Sequence, residues 1–570
     1  MPSTRITIAS NANQSSKSVL LVPSTTSLDP ASSSSCRSLI LTAAKAKLRL
    51  KKPNRVFIPG GRELQAEQDW EDAMKDDGIF LVSTGEEYVG ARAEVSTGTT
   101  IYQEMGAISM SADINPDCLI EILASKAFVD DTSIRQLETT ARTLPGIIHA
   151  CGQPDLHPGN KFPIGGVWVS RDWIHPPLIG GDIGCGMAWY KTSLTRAQVE
   201  DDKGRKIAEK LRGLEGAWRT QRDRETWLMS HEGKSCSASE QWDKLLGTIG
   251  AGNHFAELQV VEESQMVPNK GEYLRHELYE GEVVLLVHSG SRGYGGDILE
   301  RYTSDHRTSI HATEPLAQKY LAEHNQACNW ASRNRDLIAL RFLSCLEPGN
   351  EAWILGVNTH SEIISPSEIQ TARFQVEERK VVDIWHNNVS ITLWSPHPPC
   401  ATNEVQQEKV FIHRKGAAPT HNPSNNLPLS ILPLPGSRAT PTLILHPKFP
   451  SSTDHGKTNA LSLAHGAGRA MSRAKAADYV AKKYKGRAED LLRGDYVAKD
   501  SRGNRESREG GGEDVRGGTW VVCEVKQLVW EEAGEAYKDV WAVGEDLVAK
   551  GVAERWGWCR GMVSYKVRKE

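Results

Sequence analysis

Five short segments of the sequence each place a metal-binding or nucleophilic side chain among small residues. Asp, Cys and His are the side chains that hold transition metals, and glycine lets the backbone bend and come close to a phosphate. One such segment would mean little, but five in one chain predict a metal site that handles phosphates. The segments are GGDIGCGM (180–187), GAGNHF (250–255), VHSGSRG (287–293), AHGAGR (464–469) and DIWHNN (383–388), which has asparagine in place of glycine.

All of these segments except AHGAGR carry candidate metal ligands. Asp182 and Cys185 are three residues apart on a glycine-bounded turn, a spacing that directs both side chains toward one point. A soft thiolate and a hard carboxylate, joined by the imidazoles of His254, His288 and His386, suit Mn, Fe, Co or Zn better than Mg or Ca. Any one Cys or His alone is more often a buried structural group. Their joint placement where strands give way to loops favours the metal.

Phosphate-handling chemistry is indicated by segments that combine glycine, hydroxyl and cationic residues. VHSGSRGYGG contains Arg292, PLPGSRAT contains Ser437, and HRKGAAPT contains His413 and Lys415. Backbone N–H groups and cations in such loops can hold a phosphate. None of them is a Walker A loop or a strand-to-helix G-x-G-x-x-G turn, and each taken singly is better explained as a turn with solvated charges.

His465, in AHGAGRAMSRAKA, is the candidate nucleophile. Two glycines and then a run of residues with high helix propensity follow it, which predicts that His465 lies at a helix N-terminus. Free N–H groups at such a terminus favour an anion, and a neutral imidazole beside them can attack phosphorus.

Composition restricts the class of protein and its surroundings. A chain of 570 residues predicts two or three domains, and 39% hydrophobic with 25% charged residues is typical of a globular protein. The net charge of −4 excludes a generally basic nucleic-acid coat, but not a local basic groove. Ten cysteines without a C-x-x-C pair argue against a zinc ribbon. With no apparent signal peptide or membrane span, the sequence favours cytoplasm or nucleus over mitochondria.

The order of predicted elements indicates an α+β protein with two parts. Residues 1–92 read as strand, strand, helix, strand, strand, the order of a ubiquitin-like β-grasp domain of the doublecortin type, although a mere N-terminal extension is the alternative. Residues 93–130 read as a connector. From 131 to 570 strands, Gly-rich turns and helices alternate, including a helix over 332–346, and 391–410 and 501–518 are predicted surface insertions.

In their order along the chain, these motifs resemble the RtcB family of RNA-splicing ligases. The resemblance extends over about 131–566 and implies an RtcB-like catalytic core with a central β-sheet flanked by helices. The matching motifs are QPDLHPGNKFPIGG, GGDIGCGM, GTIGAGNHFAELQ, HSGSRG, DIWHNN, HRKGA, PGS and HGAGR. DIGCGM and the terminal SYK look closer to a divergent bacterial-type branch than to archaeal and animal enzymes. The loop HSGSRGYGG lacks a histidine that often follows in the family, and the N-terminal part lies outside the family core.

The resemblance also implies a role for each motif residue. His465 matches the histidine that takes up GMP, and Asp155 matches the carboxylate that orients it. Cys185 matches a ligand shared by two Mn²⁺ ions, with Asp182 and His386 on one ion and His254 and His288 on the other. The implied nucleotide-binding residues are Asn253, Glu257, Ser437, Gly468 and Lys566. The implied phosphate- or RNA-binding residues are Arg292, His413 and Lys415.

The implied activity is a GTP- and Mn²⁺-dependent joining of RNA ends. A 2′,3′-cyclic phosphate or 3′-phosphate end is joined to a 5′-hydroxyl end through a histidine–GMP intermediate, in tRNA splicing or RNA repair. An archease-like activator and a protein partner of the N-terminal part are implied partners. Two alternatives stay open from the sequence: a metal-dependent cyclic phosphodiesterase that does not ligate, and a non-catalytic adaptor.

Overall fold

The chain divides into two compact units, one of 1–109 with 471–486 and one of 110–470 with 487–570. The computed structural model describes residues 3–12, 17–23, 25–29, 32, 35–58, 62–74, 78–88, 114–200, 202–230, 232–267, 274–304, 307–357, 364–394, 408–422, 427–448, 458–492 and 519–569.

The first unit is built on a four-stranded sheet of β1 (Ser3–Ser10), β2 (Lys17–Pro23), β3 (Arg55–Phe57) and β4 (Gly78–Ser83) in the order β2-β1-β4-β3. β1 pairs antiparallel with β2 and parallel with β4. Helix α1 (Cys36–Lys47) follows β2, and α2 (Glu67–Ala73) precedes β4. The core between sheet and helices is apolar and contains Ile6, Ile8, Ile40, Trp70 and Phe80. Membership in the ubiquitin-like class stays a prediction.

The strands that follow residue 113 are, in chain order, β5 (Leu119–Ile122), β6 (Ile147–His157), β7 (Ile164–Ser170), β8 (Trp173–Ile174), β9 (Gly186–Thr195), β10 (Phe255–Ser264), β11 (Glu282–Ser289), β12 (Ile310–His311), β13 (Lys380–Trp385), β14 (Asn387–Trp394), β15 (Glu408–Lys415), β16 (Ala417–Pro419), β17 (Leu432–Pro435), β18 (Thr442–Pro447), β19 (Ser462–Ala464), β20 (Trp520–Cys523) and β21 (Ala553–Val567). The α-helices are α3 (Asp131–Thr143), α4 (Asp202–Lys210), α5 (Gln221–Leu228), α6 (Glu240–Asp243), α7 (Gly293–Thr303), α8 (Pro315–Leu346), α9 (Pro366–Arg379), α10 (Arg473–Lys483), α11 (Lys526–Glu531) and α12 (Val540–Ala549).

Two larger sheets form the second unit. One has the strand order β13-β9-β11-β10-β21-β18-β17, with β20 added alongside β21, and the other has the order β14-β15-β7-β6-β5. Nearly all neighbours in these sheets are antiparallel; β20 with β21 and β5 with β6 are parallel. This mixture of sheets and helices confirms the α+β prediction for the catalytic part.

Helix α8 is a long helix with many buried side chains. It spans 32 residues, so the predicted helix over 332–346 is only its second half. Proline at its first position costs no hydrogen bond, because the N–H groups of the first turn have no partner within the helix. Most side chains of its second half are buried, and four of them are polar and fully buried: Asn334, Arg335, Asp336 and Arg341.

The predicted surface insertion over 391–410 is corrected at both ends. Residues 391–394 belong to β14 and pair antiparallel with 408–411 of β15, so these parts are strand and not loop. The irregular sequence between them, 395–407, lies outside the described residues, as does the second predicted insertion, 501–518.

Helix α10 belongs to the first unit, where it packs against β1. The sequence gives no sign of this grouping, since α10 follows directly on the HGAGR motif in the region predicted as the catalytic domain. The predicted boundaries at 92 and 130 stay predictions.

Candidate active site

The candidate ligands come together because four neighbouring strands of the larger sheet, β13, β9, β11 and β10, have their paired ends on the same side. Gly186 at the start of β9 pairs with Ser289 on one side and with Trp385 on the other. Phe255 at the start of β10 pairs with His288. Each candidate ligand on these strands is at a paired position or one residue beyond it. The ligands so placed are Cys185, His254, His288 and His386.

The Cys185 thiol lies at the centre of the cluster. Its Sγ is 3.2 Å from Nε2 of His254 and 3.4 Å from Nε2 of His288, and the three atoms lie within 4.8 Å of one another. Nε2 of His254 is 2.7 Å from Oδ2 of Asp182. The His386 ring packs edge-on against His288, with 5.0 Å between ring centroids. All five predicted ligands are therefore in one cluster, while their division between two ions stays a prediction.

Two buried polar atoms in the cluster have no hydrogen-bond partner among the described residues. They are Oδ1 of Asp182 and Nδ1 of His386. Buried polar atoms are nearly always paired in folded proteins, so an unpaired carboxylate oxygen and an unpaired imidazole nitrogen need an explanation. The set of thiol, imidazole and carboxylate donors fits transition-metal ions, which bind unpaired atoms of these kinds.

The protonation states of the cluster also fit a metal ion. Burial, reinforced by neighbouring cationic groups, lowers the pKa of His288 and His386 well below the usual range, which keeps both rings in the neutral, metal-binding form. Burial and the Asp182 charge raise the pKa of the Cys185 thiol well above its usual range. Cys185 is therefore a protonated thiol until a cation displaces its proton, which links metal binding to proton release.

Gly290 makes room for the Asp182 carboxylate. A Cβ atom at residue 290 would lie 2.2 Å from Oδ1 of Asp182, far inside van der Waals contact. The glycine in HSGSRG therefore lets the turn after β11 come close to a ligand of the neighbouring loop.

His465 and Asp155 form a hydrogen-bonded pair beside the cluster. Nδ1 of His465 is 2.7 Å from Oδ2 of Asp155, which is fully buried. Because a carboxylate only accepts, Nδ1 carries the proton and Nε2 keeps a free lone pair. The His465 ring is 4.6 Å, centroid to centroid, from the ring of His386. The pair thus places an imidazole whose Nδ1 is held by a carboxylate next to the candidate metal ligands.

The prediction that His465 begins a helix is wrong. His465 directly follows β19, and the next helix, α10, begins only at Arg473 with Ser472 as its N-cap. The residues between contain Gly468, whose φ of +69° a residue with a side chain rarely adopts. A Cβ on Gly468 would lie 2.3 Å from the Asp155 carbonyl oxygen, so the glycine lets this loop approach Asp155.

Two predicted nucleotide-binding residues, Glu257 and Lys566, lie near the start of β10. Glu257 pairs in register with Ser564, which places Lys566 of β21 beside the turn before β10. There Nζ of Lys566 donates to the carbonyls of Gly252 and His254. Burial raises the pKa of Glu257 to about 7, against hydrogen bonds from Gln259 and Ser564 that lower it.

Asn253 and Ser437 lie on turns at the border of the site. Asn253 is exposed at the tip of the turn before β10. Ser437 follows β17, and its Oγ donates to the carbonyl of Glu532 at 3.1 Å. The turn is fixed to the His465 loop, because the N–H of Ala467 donates to the carbonyl of Pro435.

Arg292 and Lys415 bring positive charge to the cluster. Arg292 precedes α7, where its Nε lies 3.4 Å from Oγ1 of Thr248. Burial lowers the pKa of Arg292, and the nearby Asp182 carboxylate partly offsets this fall. Burial lowers the pKa of Lys415 to about 8, partly offset by the Asp182 charge. Both cations are placed where a phosphate held next to the ligands would meet them.

His413 is not brought to the site. Its ring is fully buried, Nε2 accepts the N–H of His175 at 2.9 Å, and Nδ1 lies 3.4 Å from the carbonyl of Trp168. With both ring nitrogens engaged by the backbone, this placement argues against the predicted contact of His413 with a phosphate or RNA.

Helix α8 supplies positioning groups that sequence reasoning missed. Arg335 donates to the carbonyls of Gly184 and Ser289, each next to a ligand, and pairs with Asp383 at 2.7 Å. Asn334 accepts the N–H of Gly247 and donates to Oγ of Ser289. A run of helix-forming residues contains no motif that distinguishes these side chains, because their partners are backbone groups of distant loops.

The fold and the site together define an enzyme with a candidate metal cluster beside a carboxylate-oriented histidine. The model of the family described as tRNA-splicing ligase RtcB matches residues 136–227 and 215–507. RNA-splicing ligase RtcB2 of Escherichia coli is 31% identical over 440 residues, covering 76% of this chain and 92% of the relative. RNA-splicing ligase RtcB homolog 1 of Entamoeba dispar is 27% identical, covering 74% of this chain and 79% of the relative.

An archaeal relative, tRNA-splicing ligase RtcB of Aeropyrum pernix, is 26% identical over 498 residues, which cover 75% of this chain and 91% of the relative. These matches extend over most of the second unit. The chain belongs to the RtcB family.

Proposed function

We propose that this protein is an RNA ligase that uses GTP and Mn²⁺ to join a 2′,3′-cyclic phosphate or 3′-phosphate end to a 5′-hydroxyl end. The observation that carries the proposal is the His465–Asp155 pair, with its 2.7 Å hydrogen bond, next to the cluster around Cys185. The three relatives described above are RNA- or tRNA-splicing ligases by name, which supports RNA as the substrate.

The chemistry proposed for His465 is nucleophilic. Its Nε2 attacks the α-phosphorus of GTP, an N–P bond forms, and pyrophosphate leaves. Asp155 holds the proton on Nδ1 and stabilises the charge that develops on the ring. Water opens the 2′,3′-cyclic phosphate to a 3′-phosphate, and an oxygen of this phosphate attacks the phosphorus of the histidine-bound GMP. The N–P bond breaks, and its electron pair returns to Nε2 of His465. The 5′-hydroxyl oxygen attacks this activated phosphate, and GMP leaves as the phosphodiester forms.

The proposed metal is Mn²⁺, two ions in number, held by Asp182, Cys185, His254, His288 and His386. When bound, the ions would supply Lewis-acid stabilisation of charge on phosphate oxygens. The chain's own cations, Arg292 and Lys415, would add charge-assisted hydrogen bonds to the same oxygens. The guanylate is proposed to lie among five residues: Asn253, Glu257, Ser437, Gly468 and Lys566.

A cyclic phosphodiesterase would need the metal cluster but not an oriented histidine nucleophile. The hydrogen bond between His465 and a fully buried Asp155 therefore favours ligation over hydrolysis alone. The same hydrogen bond argues against a non-catalytic adaptor, because a carboxylate buried this deeply is costly without a use.

The test is a guanylylation assay. The full chain is incubated with Mn²⁺ and GTP labelled at the α-phosphate, and we expect acid-labile label on the protein that is absent in His465→Ala. His446→Ala is the matched control, since this histidine stacks on Trp556 at 3.9 Å and touches no ligand of the cluster. Label that persists in His465→Ala would show that another residue is the nucleophile. An unlabelled parent protein would contradict the proposed function.

Partners and compartment are proposed on the same basis. RNA ends are the substrate, an archease-like protein is the proposed activator, and the first unit is the proposed site for a protein partner. Within the described ranges, no helix is both long and apolar enough to cross a membrane. Cytoplasm or nucleus is the proposed location.

A further inference from the structure

Asp155 lies on a bulge that leaves its backbone without a sheet partner. β6 pairs with β7 as far as Gly152 opposite Gly166, and pairing resumes only at His157 opposite Ile164. On its other side β6 pairs with β5, and that ladder also ends at Gly152. Among the described strands, none pairs with residues 153–156. The carbonyls of this bulge therefore need hydrogen-bond donors from elsewhere.

A single side chain, Lys538, supplies two of these donors. Its Nζ donates to the carbonyl of Pro154 at 3.1 Å and to the carbonyl of Leu156 at 2.7 Å. The carbonyl between them, that of Asp155, lies 2.8 Å from Nδ1 of His157. The three consecutive carbonyls around the carboxylate are thus all held by side chains, and two of the three by one ammonium group.

The backbone of the same residue holds the loop that carries His465. The N–H of Lys538 donates to the carbonyl of Gly468 at 3.0 Å, and the N–H of Ala470 donates to the carbonyl of Ala536 at 2.9 Å. Between these two bonds, Arg469 and Tyr537 form an isolated β-bridge. Lys538 is therefore bonded through its side chain to the segment with Asp155 and through its main chain to the loop with His465.

We propose that Lys538 is a positioning residue that fixes the Asp155 carboxylate against Nδ1 of His465 during guanylate transfer. The inference rests on the proposed function and adds a residue to it. Lys538 touches neither reacting atom; it acts by orienting the Pro154–Asp155 and Leu156–His157 peptide groups, one on each side of Asp155. Misplacing a catalytic pair by about 1 Å can lower the rate about 100-fold, so losing the hydrogen bonds of Lys538 should have a measurable effect on the rate.

The surroundings of Lys538 supply the charges that keep it cationic at neutral pH. Burial lowers the pKa of Lys538 to about 8, and the carboxylates of Asp155, Asp130 and Asp546 counter this fall. The side chain has no ion pair at contact distance among the described residues; its hydrogen bonds are to carbonyls. Lys538→Met therefore removes both of these hydrogen bonds and a positive charge next to Asp155.

The experiment measures single-turnover labelling of the full chain by α-labelled GTP, with rate constant and final amplitude separated. We expect Lys538→Met to lower the rate constant about 10- to 100-fold, with the GTP concentration for half-maximal rate and the amplitude close to the parent's. Lys538→Arg, which keeps a cationic donor, should recover part of the rate. Lys126→Met is the matched control, because Lys126 forms an exposed ion pair with Glu545.

Each outcome decides the inference. An unchanged rate constant in Lys538→Met overturns it, and so does a lower amplitude with an unchanged rate constant, since that reports only a smaller folded fraction. If Lys538→Met does not fold, Lys538→Gln, which keeps a donor and loses the charge, gives the same readout. A parent protein that takes up no label contradicts the proposed function itself, whereas a labelled parent with a full-rate variant contradicts only the role of Lys538.

Discussion

The second unit contains two groups of buried histidines with opposite surroundings. One group, at the strand ends, comprises His254, His288, His386 and His465. The other, within the sheets and helix α8, comprises His175, His324 and His413. Burial lowers the pKa of His288, His386, His175, His324 and His413 alike. A depressed pKa therefore does not distinguish the site from the structural core.

The hydrogen-bond partners do distinguish the two groups. Nε2 of His324 accepts the N–H of Val389 at 3.0 Å, and its Nδ1 lies 3.0 Å from Oδ1 of Asn325, so the ring is fully used within the fold. At the strand ends Nδ1 of His254 also meets a backbone carbonyl, but carboxylates, those of Asp182 and Asp155, are partners that the structural histidines named above do not have. These partners are themselves competent ligands or bases, and this is what makes the first group a site.

The largest expected difference between the two groups comes from their cysteines. Cys185→Ser should remove bound metal and lower guanylylation by about 100-fold or more, because it deletes the thiol that touches His254 and His288. Cys328 lies 3.6 Å from Nε2 of His324, in the structural group. Cys328→Ser should keep the metal and a labelling rate within about twofold. Metal content by mass spectrometry and the labelling rate are measured for both variants. Equal metal loss in the two variants would contradict the assignment of the metal to the first group.

A smaller effect is expected from the glycine that borders the first group. Gly290→Ala should displace the Asp182 carboxylate and weaken Mn²⁺ binding about tenfold. Gly296, a few residues on in α7, has open space where a Cβ would be, so Gly296→Ala should leave the affinity unchanged and raise helix stability by about 0.5–1 kcal/mol. Titration of Mn²⁺ into the metal-free proteins measures the difference. Parent-like affinity in Gly290→Ala would mean that Asp182 is not a ligand.

The smallest expected effect concerns Glu257, a buried carboxyl whose described contacts include no cation. Its pKa is raised from 4.5 to about 7, so the folded chain binds more protons than the unfolded chain between these values. Stability contributed by protonated Glu257 is thus complete below about pH 4.5 and is lost as the pH rises through 7, by an amount on the order of 1–3 kcal/mol. Glu257→Gln should flatten this part of the profile. Urea midpoints of the metal-free proteins at pH 5 and pH 8 give the comparison, and parallel profiles would refute the assignment.

Much of the first histidine group could be predicted from sequence, because its members come from glycine-rich segments at strand ends. Register between β9, β10, β11 and β13 then brings Cys185, His254 and His288 together without any further condition. His413 lies in a segment of similar appearance, but it falls inside β15, where alternation turns its ring into the core. Sequence chemistry alone does not tell which face of a strand a residue occupies.

The residues that hold the backbone around the site could not be predicted from sequence, for a different reason. Arg335, Asn334 and Lys538 act on backbone carbonyls of segments distant along the chain. A carbonyl has no residue-type signature, so nothing in the sequence marks the place to be held. The same limit explains the helix start misplaced at His465, where propensity is high but Gly468 and its contact with Asp155 keep the loop open.

The discontinuous first unit has a practical consequence for anyone who shortens this protein. Because α10 packs against β1, a truncated chain that begins after residue 109 would keep this helix but lose the sheet that covers it. The buried residues of this helix are Ala474, Ala476 and Val480, which lie about one helix length after His465 in the sequence. Aggregation or low activity of such a fragment would then report a helix that has lost its sheet, and not a catalytic role of the removed segment.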